Sequence, residues 1–170
     1  MAGPMEKQRI SSHPLREAVE AHDIDAVIDT FAADVVLHSP LISTPFEGRG
    51  EVGFVFRTLA DEVLFTDDFR YTAELVAGDT VVLAFKSTVK GTEVEGVDLM
   101  KVDDDGKIRE ITVFLRPLPG TTAIAKFLAP RLAGRDNKLK GTFAGLGTRP
   151  LSGMAKLFDA IGSRDVRARR

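Results

Sequence analysis

Few side chains in this chain have both the type and the setting for chemistry, and the clearest of them is Asp98 in the run VEGVDLMKV, residues 94–102. Successive side chains of a strand point to opposite faces, so Gly96, Asp98, Met100 and Val102 share one face and Val97, Leu99 and Lys101 the other. A carboxylate is thereby set among apolar neighbours. If Asp98 points inward with Met100, Val81, Leu83 and Phe85, desolvation raises its pKa and makes it a neutral hydrogen-bond donor or a stronger base than a free carboxylate. The plainer alternative is a strand-end Asp that accepts a hydrogen bond from a neighbouring Arg or backbone amide. The candidate partner is His38, in VVLHSP, because imidazole titrates at about 6.5 and suits proton transfer near neutrality. Strand alternation turns His38 away from Leu37 and Ser39 unless Pro40 or a bulge twists the strand end, which leaves Ser39 as its substitute. Leu37, Phe56, Leu83, Phe85, Met100 and Val113 are the expected apolar lining of a substrate pocket. Arg116 either meets an acid across a dimer or guards the pocket mouth.

Composition removes several other chemistries. The chain has no Cys, which excludes disulfides, thiolate metal sites and a cysteine nucleophile. Its three His, at 13, 22 and 38, lack zinc-ligand spacing, so no metal and no cofactor is expected. Gly145-Leu146-Gly147 is not preceded by a strand at the spacing a nucleotide fingerprint needs. No window approaches the roughly 20 apolar residues of a membrane span, and the first residues lack a signal-like apolar core, so a cytoplasmic location is the default expectation. The formal net charge of −2 hides an asymmetry. Residues 1–120 carry 12 Lys and Arg against 22 Asp and Glu, whereas residues 121–170 carry 11 against 3. The expectation is a basic extension packed on an acidic body, its own or a neighbour's. The body offers no basic, aromatic face for nucleic acid, and an anionic membrane surface is the weaker alternative for the tail.

The elements that must position these residues follow from periodicity. Residues 1–13 are expected to be a flexible lead-in, with Pro14 opening a helix. Leu15, Ala18 and Val19 keep helical spacing, and Ile24, Val27, Ile28 and Phe31 resume it after Asp23, which predicts two short helices. Ala32-Ala33-Asp34 should turn the chain into a short strand, Val35 to Ser39, ended by Pro40. Pro40 to Gly50 reads as a loop and Glu51 to Leu64 as a third helix. Strands are expected over Phe69 to Val76, Thr80 to Lys90, and on both sides of Asp103-Asp104-Asp105-Gly106, an Asp-Gly hairpin signal. Past Gly120, Ile124, Phe127, Leu128 and Leu132 predict one amphipathic helix, and Leu151, Met154, Leu157, Phe158 and Ile161 another, joined by a Lys-, Arg- and Gly-rich linker. The implied plan is a 14–119 domain with a basic helical extension, 120–170.

This ααβαββββ order, with FAADVVLHSP after the paired helices, FEGRGEV opening the third and VEGVDLMKVDDDGKIREITVFLRP at the end, resembles the nuclear transport factor 2-like superfamily. The SnoaL-like polyketide cyclase and ketosteroid isomerase branches are the most similar. The resemblance covers Leu15 to Pro119 and implies an α+β fold, a cone-shaped barrel of curved antiparallel sheet wrapped around three N-terminal helices. It also implies that Asp98 matches the carboxylic acid that donates to the substrate oxyanion in the isomerase branch, a case known for an acid kept neutral by an apolar site. The general base of that branch falls on Ser39, which cannot act as one unaided. Its phenolic donor falls near Leu15, and the lone tyrosine, Tyr71, lies elsewhere in the chain.

Three functions are compatible with these residues. The first is a cofactor-independent isomerase, cyclase or hydrolase that acts on a small hydrophobic molecule through Asp98 with His38 or Ser39. The second is a non-catalytic binder of such a molecule, and the third a dimerising interaction module with an inert pocket. An enclosed cavity of roughly 300 Å³ or more with Asp98 inside favours the first two, and a filled cone the third. Val97, Leu99 and Phe114 predict a homodimer through the outer sheet face.

Overall fold

The chain enters its first helix through a side-chain cap. In the computed structural model, which describes residues 12–133, Nδ1 of His13 accepts a hydrogen bond from the Leu15 amide at 3.2 Å, and Pro14 occupies the first turn. The His13 amide donates to Glu74 at 2.6 Å, so the lead-in expected to be flexible is fastened at its last residue. Burial lowers the His13 pKa, which keeps the capping nitrogen free to accept. Helix α1 spans Pro14–Glu20 and α2 Ile24–Asp29, the second capped by the Asp23 carboxylate on the amides of Asp25 and Ala26.

Strand β1 runs Phe31–His38, four residues earlier than its sequence signal, and absorbs Ala32-Ala33-Asp34 in a register shift between Phe31 and Val36. Phe31, expected on α2, is instead a fully buried strand residue. The expected loop at 40–50 contains a two-residue strand, β2 (Phe46–Glu47), paired antiparallel with β1. Helix α3 is Arg49–Leu59, and a π-helical turn, Ala60–Leu64, completes the span, closed by the Phe65 amide on the Ala60 carbonyl at 2.8 Å. Strands β3 (Arg70–Ala77), β4 (Thr80–Val89), β5 (Thr92–Val102) and β6 (Ile108–Arg116) form the antiparallel meander.

The sheet order is β2-β1-β6-β5-β4-β3, with β1 parallel to β6, so this α+β fold has one mixed, curved and unclosed sheet rather than the all-antiparallel one expected. Long-range pairing of the first strand with the last leaves no local sequence signal. One core unites the three N-terminal helices with the sheet: Leu15, Val19, Val27, Val52 and Phe56 pack with Leu83, Met100, Ile108 and Ile111.

Helix α4, Leu118–Ala133, follows β6 directly through Pro117 and packs across β4, β5, β6 and α3. The amphipathic helix foreseen after Gly120 therefore starts earlier and is part of the body. Ile124, Phe127, Leu128 and Leu132 are buried, and each contributes about 1.5–3 kcal/mol by leaving water. The linker and second helix expected over 134–161 lie outside the described residues. No helix among the described residues is long and apolar enough to cross a membrane.

Candidate functional site

Asp98 occupies the middle of β5, opposite Leu83 of β4 on one side and Val113 of β6 on the other. Alternation along β5 buries Val94, Gly96, Asp98 and Met100 and leaves Leu99 exposed, so the carboxyl lies on the covered face. It is 8% exposed. Burial alone pushes its pKa up to about 7, with no ion pair or hydrogen bond contributing. The strand-end Asp satisfied by an Arg or an amide, the plainer alternative from the sequence, is not what the fold holds. A buried, unpaired carboxyl is costly, and it escapes much of the cost by staying protonated.

The carboxyl faces a cavity of about 70 Å³. Leu37, Phe56, Phe85, Val113 and Leu115 line it, together with Ile124 and Leu128 of α4. Ser39 and Asp98 supply the polar side chains of this lining. The volume falls well short of the roughly 300 Å³ of an ordinary ligand pocket. Ile124 and Leu128 of α4 are among the side chains that take up the room. Phe85 makes the opposite wall. Its ring lies over Gly96, where an added Cβ would fall 2.2 Å from it, so glycine at this position is what lets the aromatic ring fold down beside Asp98.

Four of the six expected pocket residues, Leu37, Phe56, Phe85 and Val113, do line the cavity. Leu83 and Met100 do not; both are fully buried in the packed core. Ser39 reaches the cavity from the end of β1, and its Oγ accepts a hydrogen bond from the Leu41 amide at 3.2 Å, leaving its own proton to donate. His38 is not brought to Asp98. Its Nε2 lies 3.4 Å from Glu110 Oε1 and its side chain is 44% exposed, because strand alternation prevails at the end of β1 and no twist reverses it. Arg116 is exposed, with its guanidinium 3.3 Å from Glu95 of its own chain.

One residue that the sequence reading set aside belongs near the site. Tyr71 of β3 lies opposite Phe85, and its hydroxyl pKa is raised first by burial and next by the charge of Asp98. Phe69 meets its ring edge-on at 5.1 Å, and the Arg16 guanidinium sits 5.7 Å from the ring centre, held in turn by Glu20 at 2.8 Å and Glu74 at 3.2 Å. The available signal was Tyr71's place at the start of a strand that pairs with Phe85. Leu15, where a phenol was sought, is a core residue, 1% exposed. Among the described residues no group of three or more His, Asp and Glu is arranged to hold a metal ion.

A buried acid on the inner face of β5, in a mixed sheet wrapped on three helices, is the arrangement by which this fold can be compared with others. The family model of the SnoaL-like domain matches residues 15–111. The chain belongs to the SnoaL-like domain family. No curated protein matches it. Among solved structures, this SnoaL-like domain is similar to a steroid delta-isomerase from Pseudomonas aeruginosa, with 29% identity and a TM-score of 0.63 over 69% of this chain and 85% of that one. It is also similar to an uncharacterized bacterial protein with a cystatin-like fold from Silicibacter pomeroyi, with 25% identity and a TM-score of 0.65 over 75% and 92% of the two chains. The epoxide hydrolase/cyclase-like enzyme SalBIII, which has a role in pyran ring formation in the polyether salinomycin, shares the fold at 19% identity and a TM-score of 0.50 over 60% and 84%. The SnoaL-like match ends within β6, so α4, which contributes Ile124 and Leu128 to the cavity lining, lies beyond it.

Proposed function

We propose that this SnoaL-like domain binds a small apolar molecule through an oxygen acceptor and moves a proton on it with Asp98, as a cofactor-independent isomerase- or cyclase-type enzyme. The supporting observation is the buried carboxyl, with no ion pair among the described residues, on the wall of an apolar cavity. A carboxyl that titrates at about 7 is present in both forms near neutrality, so one residue can give a proton and take one back. Its neutral form donates to a carbonyl oxygen and stabilises the enolate that develops there, in surroundings where such a bond is strong. Ser39, just past the end of β1 in the same sheet, offers a second donor to this cavity. The similarity to a steroid delta-isomerase supports proton-shift chemistry as the reaction class.

The test is Asp98→Asn. Native mass spectrometry of the freshly purified protein names the class of any retained molecule, and turnover of that molecule is then compared between the two proteins. The variant should keep the ligand and lose turnover. Turnover that survives the substitution removes Asp98 from the mechanism.

A second reading, a dimerising module with an inert pocket, is favoured by the outer sheet face. Phe114 is 55% exposed and Leu99 37%, on adjacent strands, and the cavity behind them is small. In that reading the wild-type protein is a dimer that retains no small molecule.

A further inference from the structure

This inference rests on the reading that the Asp98 cavity is a ligand site, and it concerns which ligands fit. We infer that Ile124 and Leu128 of α4 set the size limit, so that Asp98 serves a small oxygen-bearing molecule of one or two carbon atoms rather than a fused-ring one. An apolar cavity of about 150 Å³ is what a single benzene ring needs, and a water takes up about 30 Å³ of liquid. The space before Asp98, about 70 Å³, lies between the two.

Two sides of that space are held in place. Phe85 cannot retreat toward β5, because its ring already rests on Gly96. Helix α4 is seated against backbone at its start: a Cβ on Gly120 would fall 2.5 Å from the Glu93 carbonyl oxygen and 3.1 Å from Val94 Cα. The Thr121 amide donates to the Pro117 carbonyl at 3.1 Å, and Leu132, at the far end, is 1% exposed. Between these two anchors Ile124 and Leu128 reach the cavity, with Ile124 also packed on Val63, Val89 and Val94. The polar groups are placed to match a short ligand: Asp98 from β5 and Ser39 from the end of β1 converge on one small volume, and the remaining lining is apolar. Such a site recognises one oxygen and a short hydrocarbon remainder.

The experiment titrates the full chain, followed by amide NMR, with two carbonyl compounds: acetaldehyde and the bicyclic 1-tetralone. The wild-type protein should show saturable shifts around Gly96, Asp98 and Leu115 with acetaldehyde and none with 1-tetralone. Ile124→Ala with Leu128→Ala should admit 1-tetralone with a dissociation constant lower by about tenfold or more. The milder pair Ile124→Val and Leu128→Val should change it in the same direction, should the double alanine variant unfold. In the opposite sense, Leu128→Phe should abolish the acetaldehyde shifts while the rest of the spectrum stays folded. Wild-type protein that binds 1-tetralone in an Asp98-dependent way, as well as the enlarged variants do, overturns the size limit and leaves the binding reading intact. If neither compound shifts the Asp98 region of any of these proteins, the binding reading itself fails, and the size limit with it.

Discussion

Asp98 and Glu95 are two acids three residues apart on β5, and their environments could hardly differ more. Glu95 faces outward, where the Lys86 ammonium bonds it and the Arg116 guanidinium lies 3.3 Å away, and the Lys86 bond holds its pKa below the usual carboxylate range. Asp98 faces inward, meets no cation among the described residues, and is pushed up to about 7 by burial. Chain position and residue class are nearly the same; the face of the sheet decides whether the acid is a surface charge or a proton carrier.

The largest effect expected from breaking this contrast is in the pH dependence of stability. The folded-state pKa of Asp98, about 7, lies above its ordinary 3.8, so between those values the folded chain holds a proton that the unfolded chain has released. The stability associated with the neutral acid is complete below about pH 4 and is lost as pH rises through 7, on the order of 4 kcal/mol in total. Urea unfolding of Asp98→Asn should therefore show a stability difference from wild type that moves in the variant's favour by that order between about pH 4 and about pH 9. Parallel pH profiles would show that Asp98 is not buried as a neutral acid. Next in size is Gly96→Ala, which places a methyl group on the Phe85 ring and should cost about 1–3 kcal/mol in thermal unfolding. Phe85→Leu in the same chain should recover much of that loss, and failure to do so would show that the ring does not rest on Gly96.

On the outer face, wild-type protein should sediment as a dimer at micromolar concentration, and Phe114→Asp as a monomer with an unchanged circular dichroism spectrum. A wild-type monomer contradicts the proposed use of that face. The smallest effects should come from His38→Ala and Glu95→Gln. Both side chains work on the solvent side of the sheet, so neither substitution should alter ligand binding in titrations that are abolished by filling the Asp98 cavity.

Local pattern carried much of this architecture. The Asp103–Gly106 turn is where the Asp-Gly signal put it, with the Asp103 amide on the Lys107 carbonyl at 2.8 Å and Gly106 at φ 74°. The period-two spacing of residues 94–102 placed Asp98, Met100 and Gly96 together on the buried face. Parity alone turns His38 away from the cavity, and the register shift of β1 lies at its start, too far from the strand end to turn His38 back. The parallel partnership of β1 with β6 depends on contacts between residues far apart in the chain, which periodicity does not encode, and the register shift between Tyr71 and Ala73 that sets Tyr71 across from Phe85 breaks the simple hairpin count.

What the sequence by itself determined is which residues share a face: alternation and helical spacing are local consequences of backbone geometry, and they set the acid among apolar side chains. Only the tertiary structure decided how much room that acid has. The stripe of Ile124, Leu128 and Leu132 declares a helix with something to bury, and its docking on the sheet puts Ile124 and Leu128 into the lining of a hollow of about 70 Å³. A cavity is what remains after distant segments have packed, so its volume is a property of their arrangement and not of any one of them.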